Sequence, residues 1–175
     1  MLTATYALLS LSIERKKVHK LLSTVQHLFL NNSSDTPQID LATLESIVSQ
    51  LAALDQSYYR RKIETYVIPA IRKATNEADS LLTELDLLSA AGLRILIVLQ
   101  ERLGQACAHG VAEVRELYLS LELYCDNLLQ RLVKEAELLP LARRFVLSEE
   151  WFAVGVQLLS LDAESKAHKR GATGY

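Results

Sequence analysis

The stretch YYRRKIETYVIPAI (Tyr58–Ile71) sets three consecutive cations, Arg60, Arg61 and Lys62, beside aromatic and aliphatic residues and then reaches Pro69. On a helix, Arg60 and Glu64 stand one turn apart and share a face. Pro69 removes a backbone donor, and its ring collides with the preceding turn, so a helix running through this stretch kinks or ends there. Upstream, Asp40 is suited to cap the free amides of a first turn, and Leu44, Ile47, Val48, Leu51 and Leu54 recur at helical spacing. These features predict one helix from about Asp40 to about Lys73.

The same periodicity extends outward on both sides. Leu8, Leu11, Val18, Leu22, Val25 and Phe29 predict a first helix over roughly Thr3–Leu30, broken by the polar, proline-containing run NNSSDTPQ (Asn31–Gln38). Leu82, Leu85, Leu96, Leu99 and Leu103 predict a third over Asn76–Leu103, with Gly104 at its C-terminus. A fourth leucine-rich helix is expected from about Val111 to Leu139, ending at Pro140. A short fifth begins at Ser148, where SEEW supplies a capping serine and two acids for the positive end of the helix dipole. Four long helices with short connections predict an all-α chain folded as an antiparallel four-helix bundle. Residues 1–162 are expected to form the bundle and residues 163–175 a flexible polar tail.

Composition narrows the function classes. A chain of 175 residues is long enough for one well-filled core. Its net charge of −2 supplies no basic stripe for a nucleic-acid backbone. The longest apolar run, LRILIVLQ, contains an arginine and falls far short of the ~20 residues that span a bilayer. The apolar start MLTATYALLSLSI precedes its cations, ERKK, the reverse of a secretory signal. Cys107 and Cys125 form no ligand pair such as CxxC, which fits free thiols in a reducing compartment. A cytoplasmic protein is expected.

Polar residues inside apolar stripes are the candidates for function. Arg15 falls in the seam of the first helix, between Leu11 and Val18. Ser89 and Gly92 fall in that of the third, between Leu85 and Leu96. On the fourth, Gln130 and Lys134 are one turn apart, on a stripe where Leu128, Leu132 and Val133 compete for the inward direction. Buried charge is costly unless paired, so Arg15, Arg60 and Lys134 need carboxylates, and Glu64 is the best placed. The alternative is that these side chains reach solvent along their aliphatic stems.

The segment KEAELLPLARRFVLSEEWFAV, through Leu138, Leu139, Pro140, Leu141, Ala142, Leu147, Glu150 and Trp151, resembles the hemerythrin-like (HHE cation-binding) domain family, as does the frame Arg60-Arg61-Lys62-Ile63-Glu64 followed by Ile68-Pro69. The resemblance spans about Leu8 to Val154. It implies a four-helix bundle that holds a non-haem di-iron centre on histidines and carboxylates and binds or senses oxygen or stores iron. Residue by residue, the family's ligand positions fall on Arg15, Arg60, Glu64, Ser89, Gln130 and Lys134. Only Glu64 keeps a ligand type. Iron in such a bundle needs several imidazoles and bridging carboxylates, and cations at the neighbouring positions repel it.

His19 and His27 are eight residues apart on the first helix, too far to share an ion as an i, i+4 pair does, and His109 and His168 have no carboxylate at ligand spacing. No glycine-rich phosphate loop follows a strand, and no serine has a histidine base and orienting acid in view, so an enzyme is not expected. Three readings remain. The first is a metal-free, non-catalytic hemerythrin-like module for protein interaction or regulation, with a protein partner or self-association. A mean hydropathy of +0.12 with half the residues hydrophobic agrees with it. The second is a cation binder using non-haem iron or another ion on Glu64 with Glu14, Asp86 or His19. The third is a pocket for a small-molecule anion.

Overall fold

A computed structural model describes residues 2–31, 40–55, 62–109 and 114–172. Every secondary-structure element among them is helical: α1 (Leu2–Asn31), α2 (Leu41–Asp55), a π-helical turn (Ile63–Val67), α3 (Ile68–Ala74), α4 (Asp79–His109), α5 (Val114–Phe145) and α6 (Ser148–Ala172). The leucine stripes explain why. Leu11, Val18, Leu22 and Val25 are buried on α1, Leu44, Ile47, Val48 and Leu51 on α2, and Leu82, Leu85, Leu96 and Leu99 on α4. Each helix presents one apolar face, and all contribute to one core.

α4 and α5 form the most extensive contact, followed by α1 with α6. The α4–α5 pair is antiparallel, as its cross-contacts show. Arg144 Nη1 lies 3.8 Å from Glu77 Oε2, Lys134 Nζ 2.8 Å from Glu84 Oε2, and Arg102 Nη1 2.9 Å from Glu116 Oε2. Partners on α5 descend as residues ascend from Glu77, just before α4, along α4 to Arg102. Gly92 sits midway, where a Cβ would stand 2.6 Å from Asn127 Oδ1, so the missing side chain leaves room for that amide. The segment from the π-turn into α3 also runs antiparallel to α4, with Glu64 against Ser89 and Arg72 against Asp86.

Local chemistry sets the breaks. Asp40 Oδ1 accepts from Thr43 N at 2.6 Å and caps α2; the backbone hydrogen bond from Thr43 holds the Asp40 carboxyl below the usual aspartate range. Pro69 was expected to kink or end the helix through Tyr58–Ile71; it occupies the first turn of α3, and the chain ahead of it widens into the π-turn, in which Ile68 N–H donates to Ile63 O. The wider turn relieves the clash that proline imposes on the carbonyl four residues back. Thr75, with φ −160 and ψ 149, then stops α3, and its hydroxyl accepts from Glu77 N at 3.1 Å. Whether α2 continues into this stretch lies outside the described residues.

Three expected helix ends lie elsewhere. Gly104 is inside α4, which continues through GQACAH to His109. Pro140 is inside α5, which continues to Phe145. The final helix is long, at 25 residues, and extends through most of the 163–175 segment expected as a tail. AESKAHKR is made largely of strong helix formers, and no glycine interrupts it before Gly171. The turn between α5 and α6 is fastened by Trp151, whose indole Nε1 donates to Ala142 O at 3.2 Å. An exposed ion pair, Lys73 with Glu150, joins α3 to α6.

No described helix is long and apolar enough to cross a membrane.

Candidate functional site

The apolar core is crossed by a seam of charge. Lys62, whose side chain is wholly buried, places Nζ 2.6 Å from Glu14 Oε1 on α1. Two residues on, Glu64 Oε1 accepts from Ser89 Oγ of α4 at 3.0 Å and lies 3.2 Å from Arg131 Nη2 of α5. Arg131 Nε donates to Glu135 Oε1, one turn along α5, at 2.9 Å. Lys62, Arg131 and Glu135 are buried among the hydrophobic residues. Lys62, Glu64 and Glu135 also make interactions beyond these. Glu14 Oε2 is buried and has no hydrogen-bond partner among the described residues.

The π-turn and its N-terminal flank thus contact α1 through Lys62 and Glu14, and α4 and α5 through Glu64 with Ser89 and Arg131. Lys62 stands immediately before the π-turn and Glu64 within it. On α5 the seam belongs to the core stripe itself. Leu117, Leu121, Tyr124, Leu132, Leu138 and Ala142 are buried with Arg131 and Glu135. Leu117, Leu121, Tyr124, Leu128, Arg131, Glu135, Leu138 and Ala142 alternate four- and three-residue steps, an unbroken core heptad in which an ion pair replaces two apolar residues.

Of the residues singled out from sequence, Glu64 and Ser89 are brought together. Arg15 is half-buried on α1, beside Glu14 in sequence. Arg60 lies outside the described residues. Gln130 is exposed. Lys134 pairs with Glu84 at 2.8 Å and with Glu137 at 3.7 Å near the surface, and the hydrogen bond to Glu84 leads in raising its pKa above the usual lysine range. The inward pair on α5 is therefore one residue along from Gln130 and Lys134, at Arg131 and Glu135. Asp86 is exposed and paired with Arg72, and His19 is exposed.

Lys62 was read only as one of three cations, and Arg131 and Glu135 were passed over. For the pair on α5 the sequence held a signal. Arg131 and Glu135 complete the α5 heptad.

The chemistry of the seam is that of a clamp. Each buried cation faces a carboxylate, and the arginine serves two at once, with the short charge-assisted bonds that are stronger than neutral ones. As a metal site the donor set does not fit: Lys62 and Arg131 engage the carboxylates a metal would need, and no imidazole is among the donors. Among the described residues no group of three or more His, Cys, Asp or Glu side chains could hold a metal ion.

No protein-family model, curated protein or solved structure matches this chain.

Proposed function

We propose that this protein is a non-catalytic, hemerythrin-like helical bundle whose place for a metal is taken by a salt-bridge clamp, and that it serves as a protein-interaction or regulatory module. The observation carrying this reading is the seam joining Glu14 to Lys62 and Glu64 to Ser89, Arg131 and Glu135. Two of its residues, Glu64 and Ser89, are positions to which the resemblance assigns iron ligands, and its buried cations face carboxylates, which supports a clamp over a metal or anion site. With the interior closed by paired charges, the surface is left to carry function. Exposed Leu87, Leu119, Leu123, Val133 and Phe152 support an outward role.

Elemental analysis and a visible absorption spectrum of aerobically purified protein test the reading. It predicts substoichiometric iron and no oxo-bridge charge-transfer band. Stoichiometric iron with such a band would overturn it in favour of a cation-binding protein.

A further inference from the structure

The net charge of −2 is unevenly spread. α1 carries Arg15, Lys16, Lys17 and Lys20 against a single acid, Glu14, so with histidines neutral it holds +3 and the remainder of the chain −5. Glu14 faces Lys62. Lys16, Lys17 and Lys20 are exposed, and none of them makes an ion pair among the described residues. The same helix exposes three large apolar side chains, Leu9 by 57%, Ile13 by 47% and Tyr6 by 37%. Tyr6, Leu9, Ile13, Lys16, Lys17 and Lys20 follow one another at helical spacing and share one side of α1. That side is opposite the one on which Ala7, Leu11, Val18, Leu22 and Val25 are buried. The outer ridge of α1 is therefore apolar from Tyr6 to Ile13 and cationic from Lys16 to Lys20. On the outer side of α4 and α5, by contrast, the exposed leucines stand among charges that are already matched, Glu84 by Lys134 and Arg102 by Glu116.

We propose that the outer ridge of α1 attaches this protein to the surface of an anionic lipid bilayer, with the helix lying along the surface rather than crossing it. A bilayer interface satisfies both halves of the ridge at once. Leu9 and Ile13 enter the boundary between headgroups and acyl chains, and Tyr6 keeps its hydroxyl at headgroup level. The lysine ammonium groups, on flexible stems, meet the anionic headgroups. A nucleic-acid duplex would engage the lysines through its phosphates and leave Leu9 and Ile13 in water. An acidic protein partner fits less well. From Tyr6 to Lys20 the ridge rises about 21 Å and is one helix, about 10 Å, wide. That is roughly 200 Å² in projection, well short of the ~800 Å² that each partner gives to a standard interface, and lysine is depleted in such interfaces. A bilayer is flat, deformable and charged throughout, so a single convex ridge can dock on it. The opposite side of α1 stays in the core, so docking requires no unfolding. None of the six residues belongs to the buried seam, so this attachment is independent of the metal-free reading.

Co-sedimentation of the full chain with vesicles, in about 0.1 M salt, tests this. Phosphatidylcholine vesicles are compared with phosphatidylcholine vesicles containing about 30% phosphatidylserine. The expected result is binding to the anionic vesicles, at least about 10-fold weaker binding to the neutral ones, and release by added salt. Lys16→Gln, Lys17→Gln and Lys20→Gln combined should lower the partition coefficient by about 100-fold, and Ile13→Ser alone by about 10-fold. Leu87→Ser, on α4, removes a side chain that is 64% exposed, more than Ile13, and should leave binding unchanged. All these side chains are exposed, so the helical circular dichroism should not change. A chain that stays in solution beside the anionic vesicles would overturn the proposal, even if it were retained by poly-glutamate or by a DNA duplex. So would equal binding to the two kinds of vesicle, or binding that survives the three lysine substitutions. A loss with Leu87→Ser as large as that with Ile13→Ser would overturn α1 as the docking surface.

Discussion

Arg131 and Glu135 stand one turn apart on α5, 2.9 Å from Nε to Oε1, with side chains only 7% and 2% exposed. A buried pair of this kind is not necessarily a large net gain in stability, because both ions lose their hydration. Removing one partner is what costs, since it strands the other. Arg131→Ala should therefore lower the unfolding free energy by about 3–5 kcal/mol. Gln130→Ala, one residue away but exposed, should change it by less than about 0.5 kcal/mol. Urea denaturation of the two variants checks the register of α5. Equal effects, or a larger one at Gln130, would show that the helix is turned the other way.

Gly104 offers a test of helix continuity. It lies inside α4 and is exposed, with nothing within 4 Å of a Cβ built on it. Glycine in such a position costs about 0.5–1 kcal/mol relative to alanine. Gly104→Ala should stabilise the protein by that amount, raising the melting temperature by about 1–4 °C. If α4 instead ended here with Gly104 in a left-handed cap, the same substitution would lower it.

The two thiols should differ sharply. Burial, reinforced by Asp126 and Glu122, pushes the Cys125 thiol up to about 12, whereas Cys107 is exposed. Since the thiolate is the reactive form, an alkylating reagent at pH 8 should modify one cysteine per folded chain, Cys107, and both after denaturation. The shift also predicts a pH dependence. Above the ordinary value of 9.0 the unfolded chain loses the Cys125 proton while the folded chain keeps it. Stability must then fall as pH rises from about 9 towards about 12. Denaturation of Cys125→Ala beside the wild type should show a shallower decline over that window.

The all-helical fold was legible because leucine recurs at three- and four-residue intervals over most of the chain, a pattern that only helices bury efficiently. Helix ends were less so. Gly104 and Pro140 are strong local punctuation, yet flanking apolar stripes continue past both, and tertiary burial outweighs a cost of this size. The site was legible in part. Ser89 occupies a clean stripe, Glu64 was marked as the carboxylate best placed to pair with a buried cation, and the two do meet. The α5 pair was missed by one residue because Leu128, Leu132 and Val133 give a broad apolar arc with no sharp centre. Only the longer series from Leu117 to Ala142 fixes it. At Glu14 and Arg15 both neighbours fall in the gap between Leu11 and Val18, and both are half-buried. Periodicity does not separate them; the partner does, since buried Lys62 requires an anion.

The most direct test of the clamp is a double-mutant cycle on Lys62 and Glu14, measured by equilibrium denaturation of Glu14→Gln, Lys62→Met and the pair together. The 2.6 Å contact to a wholly buried ammonium predicts a coupling energy of about 2 kcal/mol or more, with the double variant losing much less than the sum of the single ones. Additive losses, with coupling below about 0.5 kcal/mol, would contradict the account: the seam would then be a set of side chains that lie near one another without holding the helices together.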